Sequence, residues 1–259
     1  MKKINVVKIG GNVIDDPAAL AQFIHIFSEL EGPKILIHGG GKEATRLSKA
    51  MGIETTMIEG RRVTDRATLD IVVMTYAGLI NKRVVSMLQA DGCDALGFSG
   101  ADGNIIKASL RPAKPIDYGF VGDINPNDVN DRLLRILLEA GITPVICAIC
   151  HDGNGTLLNC NADSVAAAVA IGCSRIAPTI LTYCFEKAGV LADVDDDDSV
   201  IQLITEESFM QLKENGTIAK GMIPKLRNAL DSAAKGVSEV RICKAEALCS
   251  DSGTIIRLS

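Results

Sequence analysis

The chain has no tryptophan, and its three tyrosines and six phenylalanines bring aromatics to only 3% of 259 residues. Its core must therefore be aliphatic, and the base-stacking platforms of single-strand nucleic-acid binders are excluded. Positive charge is not in excess. There are 27 Lys plus Arg against 32 Asp plus Glu, a formal net charge of −5, so the basic face of a nucleic-acid partner is not expected. A small anionic ligand needs only a few local cations and backbone amides, and that class stays open. Long apolar runs are also missing. Lys2 and Lys3 precede an apolar stretch that ends at Lys8-Ile9-Gly10-Gly11, too short for the core of a secretory signal and without a small-residue cleavage site. No run approaches the roughly 18 apolar residues of a membrane span. The expected compartment is the cytoplasm, with no membrane partner. There the eight cysteines, mostly inside apolar strand or helix patterns, behave as small buried hydrophobes.

What is present is the balance of a folded chain: 47% hydrophobic and 23% charged residues. Strands and helices alternate along it. Ile4 to Ile9 and Lys34 to His38 are short β-branched runs, each ended by glycines and followed by a helical pattern, over Pro17 to Glu29 and Lys42 to Met51. Thr68 to Gln89 reads as one long helix or two broken near Gly78, and residues 99 to 125 read as hairpins. In the second half, Asp128 to Ala140, Asp163 to Ile171, Ser208 to Asn215 and Ile223 to Ala234 are helical. Thr143 to Ile149, Ile176 to Thr182, Glu239 to Cys243 and Thr254 to Leu258 are strands. Such alternation predicts an α/β fold of three layers, helices covering both faces of an open, mostly parallel sheet. No Pro-, Ser- or charge-rich linker divides the chain and no internal repeat is visible. Two lobes on one continuous sheet fit better than two tethered domains.

Two loops stand where an open α/β sheet binds ligands, beyond the carboxyl ends of strands. Gly10-Gly11 and Gly39-Gly40-Gly41 both follow strands and precede helices, so backbone amides and a helix N-terminus can meet an anion there. Each pair is otherwise only a tight turn. Gly39 to Ala44 also matches a weak dinucleotide fingerprint, which keeps a nicotinamide-binding oxidoreductase open. Asp163 is either a capping carboxylate or the orienter of nearby cations. Lys225, just inside a helix behind Pro224, opposes the helix dipole unless an anion is present. His38, at a strand end, is either a base or a structural histidine. Cys147 to His151 matches a haem-attachment pattern but ends a buried strand and lacks a second pair of metal ligands. Asp193 to Asp198 begins like a calcium loop, but Asp198 and Ile204 stand where glycine and glutamate are required.

The set of words Lys8-Ile9-Gly10-Gly11, His38-Gly39-Gly40-Gly41, Arg62-Val63-Thr64, Ser99-Gly100-Ala101-Asp102-Gly103, Gly119-Phe120-Val121-Gly122, Asn159-Cys160-Asn161-Ala162-Asp163 and Gly221-Met222-Ile223-Pro224-Lys225 stands in the order found in N-acetylglutamate kinases. These belong to the amino-acid kinase superfamily, and the resemblance covers nearly the whole chain. It implies the carbamate kinase-like αβα fold, with an acyl-amino-acid and dimerisation lobe over about 1–172 and a nucleotide lobe over about 173–259. It implies ATP-dependent phosphorylation of the side-chain carboxylate of N-acetylglutamate, the second step of arginine biosynthesis. Lys8 and Lys225 would stabilise the transferring phosphoryl group and Asp163 would hold the two lysines. Gly40, Gly41, Arg62 and Asn159 would bind the acylated glutamate. Gly10, Gly11, Thr182, Tyr183, Gly189 and Thr217 would face the nucleotide. The donor would be ATP with Mg²⁺ held mainly by its phosphates, without a metal site of protein ligands.

The acceptor carboxylate, with a pKa of about 4.3, is already ionised at neutral pH, so no general base is required. Transfer then rests on positioning and charge neutralisation. Three departures from the family pattern matter. The stretch Leu181 to Gly189 differs from the usual nucleotide-side word. Arg61 stands where an apolar residue usually packs near the acyl group, which raises a succinyl in place of an acetyl group, with an exposed, solvated arginine as the equal alternative. The first strand starts at the beginning of the chain, without the extra helix of arginine-inhibited hexamers, and a homodimer is expected. A glutamate or aspartate kinase and a silent nucleotide sensor remain as alternatives.

Overall fold

The computed structural model describes residues 2–193, 195–218 and 222–258. Its centre is one sheet of eight strands, here numbered along the chain as β1 (Ile4–Ile9), β2 (Lys34–His38), β3 (Ala95–Phe98), β4 (Thr143–Cys147), β5 (Thr179–Phe185), β6 (Leu203–Ile204), β7 (Glu239–Lys244) and β8 (Thr254–Ile256). They lie side by side in the order β6, β8, β7, β5, β1, β2, β4, β3. From β7 to β3 every neighbouring pair is parallel, whereas β8 runs antiparallel to β7. The sheet is thus continuous and mostly parallel, as the alternating pattern implies. β1 lies between β2, which follows it in sequence, and β5, which comes much later. The chain turns in opposite directions on the two sides of β1. A crevice opens at the carboxyl ends of strands at such a switch point.

Alternation along the strands divides the core. Ile4, Val6, Ile35, Ile37, Leu181 and Tyr183 face a layer that includes the helices Asp131–Glu139, Ala162–Ser174 and Ile223–Ala234. Val7, Ile9, Leu36 and Cys184 face the other layer, where Phe23 and Phe27 of the helix Pro17–Glu29 meet Val84 and Leu88. The two phenylalanine rings lie 5.7 Å apart. The same alternation sends Lys8 to the first face, beneath Ala162–Ser174, and His38 to the second.

The Thr68 to Gln89 pattern resolves as a single helical run, Arg66–Ala90, whose middle segment Met74–Ile80 is π-helical. Gly78 therefore sits in a wider turn and not at a break. The run is long and apolar enough to cross a membrane by length and mean hydropathy. Here Val72, Ile80, Val84 and Leu88 are buried in the two core layers. The hairpin of Met57–Ile58 with Arg61–Arg62 escapes the sequence reading, and in the hairpin of Ile149–His151 with Leu157–Asn159 the Asp152 to Gly155 turn is legible but the return strand is not. Strands of two or three residues are too short to show a period.

His38 is fully buried. Asn81 donates through its amide nitrogen to the Val145 carbonyl, 2.9 Å, and to His38 Nε2, 3.0 Å. The carbonyl can only accept, which fixes the amide, so Nε2 accepts and the Nδ1 proton goes to the Gly39 carbonyl at 2.8 Å. Burial pushes the histidine's pKa down to about 4. His38 is thus a neutral strut for the glycine loop. The unfolded chain binds this proton near the ordinary value of about 6.5. Between those pH values the unfolded state holds more protons, so stability falls as pH drops through that window. Urea unfolding at pH 7 and pH 5 should show the parent losing about 2 kcal/mol more than His38→Gln. Equal losses would mean that His38 is not buried neutral.

Candidate active site

The site is assembled at the carboxyl ends of β1, β2 and β5. Lys8 is the last inward-facing residue of β1, and its Nζ lies 2.8 Å from Asp163 Oδ1. Asp163 belongs to the first turn of Ala162–Ser174, but it is not the cap. Asn161 caps that helix, its side chain accepting from the Ser164 amide at 3.0 Å. The other carboxylate oxygen, Oδ2, is 3.9 Å from Lys225 Nζ. Lys225 stands in the first turn of Ile223–Ala234, behind Pro224. One carboxylate therefore holds two ammonium groups, from a strand and a helix far apart in sequence. Burial pulls the Lys225 pKa down from the ordinary lysine range. Asp163 opposes the shift and Lys8 adds to it.

An aromatic ring completes the arrangement. Phe185, at the end of β5, lies 3.8 Å from Lys225 Nζ and 5.4 Å from Lys8 Nζ, measured to the ring centre. Tyr183, on the same face of the strand, stacks on it at 6.2 Å and donates its hydroxyl to the Asp163 carbonyl at 3.3 Å. The cation–ring attraction holds a partly exposed ammonium in one place.

Two cavities flank this group. One, of about 230 Å³, is lined by Lys8, Gly11, the Gly39-Gly40-Gly41 loop, Arg62, Asn159 and the apolar Val121 and Ala148, with Met57, Gly60, Arg61 and Tyr76 along its other walls. Gly40 has φ +155°, which disfavours a side chain, and a Cβ there would meet Ile80 Cδ1 and the Tyr76 ring, so the π-helical segment packs closely against the loop. Arg62 is buried. It donates to the Gly41 carbonyl and the Thr45 hydroxyl, each at 2.8 Å, and to the Thr55 hydroxyl at 3.2 Å. All three acceptors are neutral, so its charge is positioned but not compensated. A buried cation in that state favours binding of an anion. Asn159 donates to Thr64 Oγ1 at 3.0 Å, and Thr64 donates to the Arg62 carbonyl at 2.9 Å, so the three residues form one unit.

The other cavity, of about 260 Å³, is mostly apolar and lined by Phe185, Gly189, Val190, Leu191, Ile218 and Ile242, among others. A Cβ on Gly189 would come within 2.7 Å of Thr254 Oγ1, so that glycine keeps the wall thin. Gly10 precedes the five-residue helix that begins at Gly11. Thr182, Tyr183 and Thr217 do not line either cavity. Thr182 is buried on the strand face opposite Asp163, Tyr183 supports Phe185, and Thr217 is turned back onto Asn215 Oδ1 at 2.8 Å. Gly221 lies outside the described residues.

The weaker motifs find structural explanations. Cys147 and Cys150 are fully buried, and burial pushes the Cys147 thiol up to about 12. His151 accepts from the Gly153 amide at 3.1 Å and donates to Asn104 Oδ1 at 2.8 Å. In the acidic stretch, Asp193 and Asp196 accept the amides of Asp195 and Asp198, and Asp197 pairs with Lys187 at 2.6 Å; Val194 lies outside the described residues. Sequence reasoning missed Phe185 and Tyr76, whose spacing looks like ordinary core.

The amino acid kinase family matches residues 3–244 of the chain. Acetylglutamate kinase of Cytophaga hutchinsonii is 51% identical over 249 residues, covering 96% of this chain and 94% of that protein. Acetylglutamate kinase of Phocaeicola vulgatus is 46% identical over 256 residues, covering 99% of each. N-acetylglutamate synthase of Neisseria gonorrhoeae, solved with coenzyme A and N-acetyl-glutamate, superposes with a TM-score of 0.81 at 22% identity, over 99% of this chain and 60% of that one. That likeness is one of fold. Matched over nearly its whole length, the chain belongs to the amino acid kinase family and, within it, to the acetylglutamate kinases.

Proposed function

We propose that the protein transfers the γ-phosphoryl group of ATP to the side-chain carboxylate of an N-acylated glutamate, N-acetyl-L-glutamate as in its curated relatives. The observation that carries this reading is the pair of lysines, Lys8 and Lys225, held by Asp163 between an anion-accepting cavity and an apolar one. The acyl amino acid occupies the first cavity, its α-carboxylate on Arg62. Asn159 keeps Arg62 in register through Thr64, and Val121 and Ala148 meet the acyl carbons. The apolar cavity takes the adenine ring, with Gly189 at its wall. We read the chain accordingly as two lobes, about 1–172 for the acceptor and about 173–259 for the donor. A homodimer belongs to the same proposal. Met74 and Leu79, exposed on the long helix, offer it an apolar face.

The reacting carboxylate is an anion at neutral pH, so the transfer requires no base. Lys8 faces the acceptor cavity, where its ammonium offsets the repulsion between acceptor carboxylate and phosphoryl oxygens. Lys225, steadied by Phe185, lies toward the donor side and stabilises charge on the leaving phosphate. The amides at Gly10-Gly11 and Gly40-Gly41 add fixed dipoles that need no reorganisation. Magnesium, which neutralises phosphate charge when bound, travels on the nucleotide. Both oxygens of Asp163 already face lysines, and among the described residues no cluster of three or more His, Cys, Asp or Glu side chains is placed to hold a metal ion. The oxidoreductase reading loses its basis, since the Gly39 loop opens onto the acceptor cavity and Arg62 takes the Gly41 carbonyl.

Hydroxylamine traps an acyl phosphate as a hydroxamate. With MgATP and N-acetylglutamate the parent should give a strong hydroxamate signal, and Lys8→Met or Lys225→Met should lower turnover about 10²–10³-fold while the fold persists. A signal from free glutamate or aspartate alone would move the protein to a sister kinase. Folded protein that binds ATP but yields no hydroxamate would support the sensor alternative.

Turnover also needs Lys225 protonated. Because burial lowers its pKa, the alkaline limb of kcat should fall at a pH below that of an ordinary lysine, about 10.4. In Lys225→Arg the limb should move to higher pH, whatever the residual rate. A limb that stays in place would assign it to another group.

A further inference from the structure

Phe185 belongs to two neighbourhoods at once. With Asp163, Tyr183, Lys225 and Asn228 it encloses a gap of about 10 Å³, room for at most one water molecule. It also lines the apolar cavity of about 260 Å³, the one given above to the adenine ring. Met222 lines the same cavity and is the residue just before the helix Ile223–Ala234, which carries Lys225 in its first turn. The cavity therefore reaches Lys225 twice, through the ring beside its ammonium and through the start of its helix. We propose that the nucleoside base of the phosphoryl donor contributes to turnover through Phe185: seated in the apolar cavity, the base fixes the ring, and the ring fixes Lys225. This rests on the acylglutamate kinase reading and adds what the base of its donor does beyond binding.

Lys225 needs such support. Its side chain is 37% exposed, and its contact with Asp163 Oδ2 is long for an ion pair at 3.9 Å. A flexible four-carbon stem gives the ammonium many positions in water. The Phe185 ring centre lies 3.8 Å from Nζ, and the attraction acts only while the ammonium stays over the ring. The position of the ring therefore sets the position of the charge. Tyr183 holds the ring from within the strand, at 6.2 Å. The ring is nevertheless only half-buried, with the apolar cavity along part of its surface. A flat heteroaromatic base packed there covers that surface and removes the freedom that remains. Contact energy gained far from the reacting atoms is thus used to orient Lys225, which raises kcat and not affinity alone. Phe185 is in this sense a positioning residue, acting through the lysine.

The test compares ATP with ribose 5-triphosphate, which keeps the sugar and phosphates and lacks only the base. Hydroxamate formation from N-acetylglutamate is measured with both substrates saturating. In the parent, kcat with ribose 5-triphosphate should lie at least about tenfold below that with ATP. In Phe185→Leu the two kcat values should come within about threefold of each other, both low, while Phe185→Tyr, which keeps a ring, should retain most of the difference. Equal kcat for the two donors in the parent, the base changing KM alone, overturns the inference, as does an undiminished kcat ratio in Phe185→Leu. Either result leaves the kinase reading intact. A second measurement needs no turnover. Acetylation of Lys225 by acetic anhydride is followed by peptide mass spectrometry with saturating ADP or ribose 5-diphosphate, the exposed Lys49 serving as reference. ADP should slow the Lys225 reaction at least about threefold more than ribose 5-diphosphate in the parent, and equally in Phe185→Leu. Equal protection in the parent overturns the inference. The expected protection without hydroxamate from any donor supports the Phe185 link and sinks the kinase reading instead.

Discussion

Asp163 is the constraint on which the site depends. Its carboxylate lies between Lys8, brought by the first strand, and Lys225, brought by a helix more than two hundred residues later. Two ammonium groups so near each other repel, and burial disfavours both. One carboxylate between them offsets part of that cost and leaves a net positive charge aimed at the crevice. The arrangement is poised for a group that carries several negative charges and passes between the two cavities. It also explains Phe185. The ring gives Lys225 a second attraction at 3.8 Å, closer than its 3.9 Å carboxylate contact, and does so without cancelling its charge.

The acceptor side follows the same logic with different parts. Arg62 is buried and held only by neutral acceptors, and the Gly39 to Gly41 loop is locked between His38 below and the π-helical segment above. These groups are fixed before any ligand arrives. Preorganised charge of this kind is destabilising in the empty protein and is repaid on binding, so affinity and orientation share one source. The neutral His38 fits that scheme, since a protonated imidazole buried under the loop would work against it.

Much of this was legible in the sequence, for a physical reason. Strand–glycine–helix junctions mark the carboxyl ends of strands, and β-branched alternation marks the sheet. Lys8 stands at such a junction, and Asp163, Arg62 and Asn159 could be named from their place in ordered words. The Met57–Ile58 and Arg61–Arg62 strands carry too few residues for a period to show, and so that edge of the acceptor cavity was not visible. The reach of the long Arg66–Ala90 helix was readable, whereas its π-helical middle was not, because seven residues are too few to show a change of period. Phe185 and Tyr76 read as core because apolar aromatics usually are. Thr182 stood next to the right residues on the strand, but alternation turns it to the far face.

The central claim is that Asp163 organises both lysines for transfer. It is tested most directly by Asp163→Asn, with kcat and KM for ATP measured beside circular dichroism. The account predicts native secondary structure, a kcat lowered by about 10²-fold through misplaced lysines, and a KM for ATP changed far less. Turnover within about twofold of the parent would show that Lys8 and Lys225 do not depend on the carboxylate between them, and would contradict the account.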